Sequence, residues 1–97
     1  LGAANPIAWH NLGVLRLRAG DAQGARSAFD EALARAPAHA PSRRARARAL
    51  LALGRASDAR EDLLRALALD ARDDASRALL RSLDARPAEG DVLHPSR

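Results

Sequence analysis

Residues 17–34, LRAGDAQGARSAFDEALA, and residues 51–68, LALGRASDAREDLLRALA, carry one pattern twice, 34 positions apart. Leu17, Gly20, Ala22, Ala25, Arg26, Ala32, Leu33 and Ala34 recur as Leu51, Gly54, Ala56, Ala59, Arg60, Ala66, Leu67 and Ala68. A chain so rich in alanine and arginine gives roughly two or three such identities by accident in a window of this length, so the period is real.

Around these segments the local signals describe helix pairs joined by tight turns. Asn5-Pro6 is a cap followed by a proline in the first helical turn, where a missing N–H costs nothing. A helix from Pro6 to Ala19 follows, and Gly20-Asp21 breaks it, the glycine free to turn left-handed and the aspartate able to cap the next helix. That helix runs from Ala22 to Ala36 and stops at Pro37. The second unit repeats this grammar, with a helix from Pro41 to Leu53, Gly54 in the turn, Ser57 as the expected cap and a helix to Leu69. Asp73 or Asp74 caps a last helix that Pro87 closes, making five, and Pro87 to Arg97 reads as a flexible tail.

Composition agrees with helices and excludes much else. Ala, Leu and Arg supply more than half of the 97 residues, there is no lysine, and Trp9 and Phe29 are the only aromatics, so an all-β fold is excluded. Without cysteine there is neither a disulfide framework nor a thiolate metal site. Apolar runs such as Ala49 to Leu53 are far short of the ~20 residues of a membrane span, so no membrane insertion is expected and the chain reads as soluble, cytoplasmic by default. It opens on Leu1 and not Met, as a processed, trimmed or excised polypeptide does. The formal charge of +4 is concentrated in residues 41–53, which hold Arg43, Arg44, Arg46 and Arg48 and no acid.

In the first unit, Trp9, Leu12, Gly13, Gly20, Ala25, Phe29, Ala32 and Pro37 stand at the spacings of the tetratricopeptide repeat, which the chain resembles over residues 6–39. Residues 40–73 keep the register through Ala47, Gly54, Ala59, Leu63, Ala66 and Leu67, with Arg43, Arg46 and Ala71 in place of the tryptophan, leucine and proline. Residues 74–86 resemble the first helix of a third repeat, Leu80 standing where Leu12 does. The resemblance implies an all-α, right-handed superhelix of antiparallel helix pairs, a TPR-like α-solenoid of about two repeats plus a final, capping helix.

The residue types have physical reasons. Gly13, Ala25, Ala32, Ala47, Ala59 and Ala66 are small where helix axes approach to about 8–10 Å, and Trp9, Leu12, Phe29, Leu33, Leu63 and Leu67 fill the surrounding space. Arg46 is awkward there: its stem is expected to pack while its head reaches solvent or an acid such as Asp30 or Glu31. Arg16, where an aromatic is frequent, poses the same question.

What the resemblance implies about function is a concave face, lined by the first helix of each repeat, that receives a peptide or a partner's helix. Its places fall on Ile7, His10, Asn11, Val14, Leu17 and Arg18, then on Arg44, Ala45, Arg48, Leu51 and Ala52, then on Ala75, Ala78, Leu79, Ser82 and Arg86. Arg44 and Arg48 share a helix face and Arg18 approaches them, which suits a protein or peptide partner with acidic beside apolar residues. The subclass that clamps a chaperone's C-terminal carboxylate is disfavoured, because its five places hold His10, Val14, Ala45, Ala75 and Leu79. Leu80 and Leu83 are expected to be exposed, pointing to self-association, to subunit packing, to a continuing protein or to a tolerant cap.

No catalytic, cofactor or metal site is expected. His10, His39 and His94 are scattered without i, i+4 spacing, and Asp30-Glu31, Glu61-Asp62 and Asp73-Asp74 point apart on helices. Gly13, Gly20 and Gly24 occupy repeat positions, not a phosphate loop. The alternatives to a non-catalytic scaffold or adaptor are an accessory segment of a larger enzyme or multi-subunit complex and an arginine-dependent nucleic-acid binder using Arg43, Arg44, Arg46 and Arg48. The latter lacks aromatic stacking platforms.

Overall fold

The computed structural model describes residues 4–85. Among them are five helices and no strand: α1 (Pro6–Arg18), α2 (Ala22–Arg35), α3 (Ala40–Ala52), α4 (Ala56–Leu69) and α5 (Asp74–Ala85). Each helix packs against the next, so α1–α2 and α3–α4 form two hairpins and α5 lies on the second.

The turn chemistry follows the sequence closely. The Asn5 side chain accepts a hydrogen bond from the Ile7 N–H at 2.9 Å, and that of Asp21 accepts from the Gly24 N–H at 2.9 Å. Gly20 and Gly54 take φ of +85° and +78°, the left-handed conformation that ends α1 and α3. Ser57 is not a cap: α4 begins one residue earlier, at Ala56, and Arg55 occupies the cap position without a side-chain bond. The cap of α5 is Asp73, whose Oδ1 accepts from the Ser76 N–H at 3.1 Å. Arg86, and the segment 87–97 with Pro87 and His94, lie outside the described residues.

Packing is set by small residues meeting large ones. Ala25, Ala32, Ala47, Ala59 and Ala66 are fully buried, as are Phe29 and Leu63. Gly13 is small for a specific reason, because a Cβ there would fall 2.6 Å from Phe29 Cδ1 and 2.7 Å from Cζ. Ala47, one period on, joins Leu50, Ala59, Leu63 and Leu80 in a single cluster. Leu80 is therefore only 8% exposed, and Leu83 is half-buried against that cluster. Their expected exposure is corrected. The hairpin α3–α4 already offers an apolar seat, with Asp84 of α5 paired to Arg60 of α4 at its edge, while Arg77 and Arg81 stand exposed on α5.

Candidate partner-binding groove

A hollow of about 310 Å³ opens between α1, α3 and α5. From α1 it receives His10, Val14, Leu17 and Arg18, and from α3 Pro41, Arg44, Ala45 and Arg48, with Ala75 of α5 at one side. The spacing of Val14, Leu17 and Arg18, and of Arg44, Ala45 and Arg48, by three and four residues is what brings each set to one helix face. Val14, Leu17 and Ala45 also pack on the buried cluster of Ala25, Phe29 and Ala49, so the floor is a continuation of the core.

Eight of the sixteen residues expected at a partner-binding face thus line one hollow: His10, Val14, Leu17, Arg18, Arg44, Ala45, Arg48 and Ala75. Ile7 and Asn11 are exposed on α1 but outside it. Leu51 and Leu79 pack against the α3–α5 core, and Ser82 is exposed away from the hollow.

The three arginines are not equivalent. Arg44 donates to Asp73 Oδ2 at 2.8 Å, an acid buried at the start of α5 that also accepts from the Ser76 hydroxyl at 2.7 Å. Burial alone would push the Asp73 carboxyl up, but the bonds from Ser76 and then the Arg44 guanidinium outweigh it and hold it below the usual carboxylate range. Arg44 is therefore a strut between α3 and α5. Arg18 and Arg48, by contrast, have no ion-pair or hydrogen-bond partner for their side chains among the described residues.

Sequence reasoning missed a polar contact beside this floor. Ser42 Oγ, fully buried, lies 2.9 Å from His10 Nδ1 and 2.6 Å from His39 Nδ1, and the two rings meet edge to face at 5.2 Å between centroids. One hydroxyl can donate to one imidazole and accept from the other, which satisfies all three groups. Burial, then His39 and Arg44, push the His10 imidazole below its ordinary pKa, so it is neutral at physiological pH. Their separation of 29 residues gave no signal, and only the stacking of α1 on α3 brings both to Ser42. Among the described residues no group of three or more His, Cys, Asp or Glu is placed to hold a metal ion.

Arg46 reaches Asp30 at 2.9 Å, one of the acids expected for it, while Glu31 pairs with Arg35 instead. Its main partner is Asp62, gripped through Nε at 2.7 Å and Nη2 at 2.8 Å. This fork, against the opposing effect of burial, holds the guanidinium more firmly protonated than usual. Arg43 adds a 3.5 Å contact to Asp62 and donates to the Pro37 carbonyl at 3.1 and 3.2 Å. Arg16 donates to the Gly24 carbonyl at 3.3 Å. A second hollow, of about 210 Å³, lies over the Arg46 fork, but its charges pair among themselves: Arg26 with Asp30, Arg55 with Asp58 and Arg65 with Glu61.

A tetratricopeptide repeat model matches residues 16–83, well over half of the chain. The chain belongs to the tetratricopeptide repeat family. No curated protein matches it significantly. Tetratricopeptide repeats typically serve as modules for protein–protein interaction, and membership in the family points to that general role. Among the described residues no helix is long and apolar enough to cross a membrane.

Proposed function

We propose that the chain is a non-catalytic docking module, built from repeats at 6–39 and 40–73, that takes a partner polypeptide in the hollow between α1, α3 and α5. The observation that carries this is the pair of unpartnered guanidiniums, Arg18 and Arg48, set beside an apolar floor of Val14, Leu17 and Ala45. Two free cations flanking buried-type surface favour a segment whose Asp or Glu side chains bracket small or branched apolar ones. Arg44 is committed to Asp73 and shapes the wall without contributing a free charge.

The same pairing pattern weighs against nucleic acid. Of the four arginines of α3, Arg43, Arg44 and Arg46 are already held by Asp62 or Asp73, leaving Arg48 alone where a phosphate backbone needs several cations.

A library of twelve-residue peptides carrying two acids around Leu or Val, screened by fluorescence anisotropy, tests the proposal. The expected result is binding that Arg18→Glu with Arg48→Glu weakens at least tenfold and that peptides with Lys for Glu restore in that variant. Binding indifferent to both changes would sink the proposal. A gel shift of generic RNA or DNA abolished by the same pair would replace it with the nucleic-acid alternative.

A further inference from the structure

Pairing the charges of the chain leaves a specific remainder. Of its 12 acids, ten lie among the described residues, and all ten are engaged. Eight form ion pairs with arginine, Asp21 accepts from the Gly24 N–H and Asp70 from the Arg72 N–H. Arg18 and Arg48, the free cations beside the apolar floor, therefore find no uncommitted acid among the described residues. Arg72 and Arg81 are unpaired as well, but both are exposed outside the hollow. The two acids that remain, Glu89 and Asp91, stand together in Ala88-Glu89-Gly90-Asp91-Val92-Leu93, with a branched apolar pair directly after them.

We propose that the hollow between α1, α3 and α5 is occupied by the chain's own segment 88–93, turned back along α5 so that Glu89 and Asp91 meet Arg48 and Arg18 while Val92 and Leu93 lie on the floor of Val14, Leu17 and Ala45. This rests on the reading of the hollow as a peptide-docking site and names what fills it. Two carboxylates and a branched apolar pair are the chemistry that two guanidiniums beside Val14, Leu17 and Ala45 select. An external polypeptide then has to displace the segment, so the groove is self-occupied until a better-matched partner arrives.

Direction and reach agree with this placement. α1, α3 and α5 run the same way, because α2 and α4 reverse the chain between them, and the period of 34 sets Arg48 level with Ser82 and Arg18 level with Arg86. Both free cations thus stand toward the end at which α5 delivers the segment. Proline at position 87 lacks the N–H that would continue α5. Asp91 is six residues beyond Ala85, about 20 Å of extended chain, and Leu93 about 27 Å. The way back along α5 from Ala85 to Ala75, the α5 residue that lines the hollow, is only about 15 Å. A connection of three residues, 86–88, holds the segment near the hollow at an effective concentration of about millimolar, which favours it over the same segment of a second copy.

The chain has no cysteine, so Ser96→Cys carries a single nitroxide spin label on the full chain. Paramagnetic relaxation of the Val14, Leu17 and Ala45 methyls is expected to be at least fivefold faster than that of the exposed Leu69 methyls of α4. Glu89→Lys with Asp91→Lys is expected to abolish the difference, as is Arg18→Glu with Arg48→Glu, and the four changes together are expected to restore it. Equal relaxation at all these methyls in the otherwise unaltered chain, or no recovery in the fourfold variant, would overturn the assignment. So would the same enhancement between a spin-labelled copy and a separate isotope-labelled copy, since the segment of a second copy would then fill the hollow. If the enhancement is missing while twelve-residue acidic peptides still bind through Arg18 and Arg48, only the occupant is wrong; if those peptides fail too, the hollow as a docking site falls with it.

Discussion

The two hairpins share one backbone plan and fill equivalent places of it with opposite chemistry. In the first, register places 9, 12 and 28 hold Trp9, Leu12 and Ala28; in the second they hold Arg43, Arg46 and Asp62. Asp62 is 3% exposed, yet among the described residues no buried side-chain nitrogen or oxygen lacks a partner. The fork from Arg46 and the added contact from Arg43 replace the water that burial removed. The crossing contact differs as well. Gly13 makes room for Phe29, while Ala47 accompanies Leu63, so the sum of the pair is held while its members change. The register conserves volume and satisfaction, not residue type.

The largest test of that contrast is to remove one side of the polar solution. Arg46→Ala strands a buried carboxylate and is expected to cost about 3 kcal/mol in urea unfolding, a large share of a small domain's stability. Rewriting the second hairpin in the chemistry of the first, with Arg43→Trp, Arg46→Leu and Asp62→Ala together, is expected to recover most of it, because well-packed apolar groups replace a buried ion pair at little or no loss. If the triple variant is no more stable than Arg46→Ala, the two solutions are not interchangeable.

A smaller effect sharpens the size complementarity. Gly13→Ala drives a methyl into the Phe29 ring and is expected to cost about 2 kcal/mol despite alanine's higher helix propensity. Phe29→Leu, which copies the Ala47 and Leu63 pair, should relieve it, so a double-mutant cycle read by thermal melting is expected to show coupling between the two sites.

The smallest effect lies between the hairpins. His10 is held below its ordinary pKa in the folded state, so the unfolded chain binds the proton more readily. Its contribution to stability is present above about pH 6.5 and declines as pH falls below that value. His10→Asn is expected to flatten this part of the stability profile, measured as urea midpoints between pH 7.5 and 5. An unchanged slope would show that the contact with Ser42 and His39 is not what titrates.

Much of this was legible in the residues. The period of 34, the turn glycines, the Asn5 and Asp21 caps and the small residues at helix crossings follow from local rules about backbone angles and side-chain size, and each stands where the sequence places it. The basic stripe of α3 was visible too, but not its division into committed and free members. Arg44 is 29 residues from Asp73 and Arg46 is 16 from Asp62, and no local spacing tells which acid a long, flexible guanidinium will meet. A usable signal did exist for the second pair: places 12 and 28 change from apolar to opposite charges together, as a compensated contact would.

The sequence by itself determined that the chain is a stack of helix pairs, because propensity, caps and a repeated pattern of small and large residues all act within a few turns of chain. Only the tertiary structure decided that Leu80 is buried, that Asp73 takes Arg44 out of the groove, and that Arg18 and Arg48 stand unpaired beside Val14 and Leu17. Burial and ion pairing depend on which faces of separate helices are brought together, and that is a property of the stacked hairpins that no single helix carries.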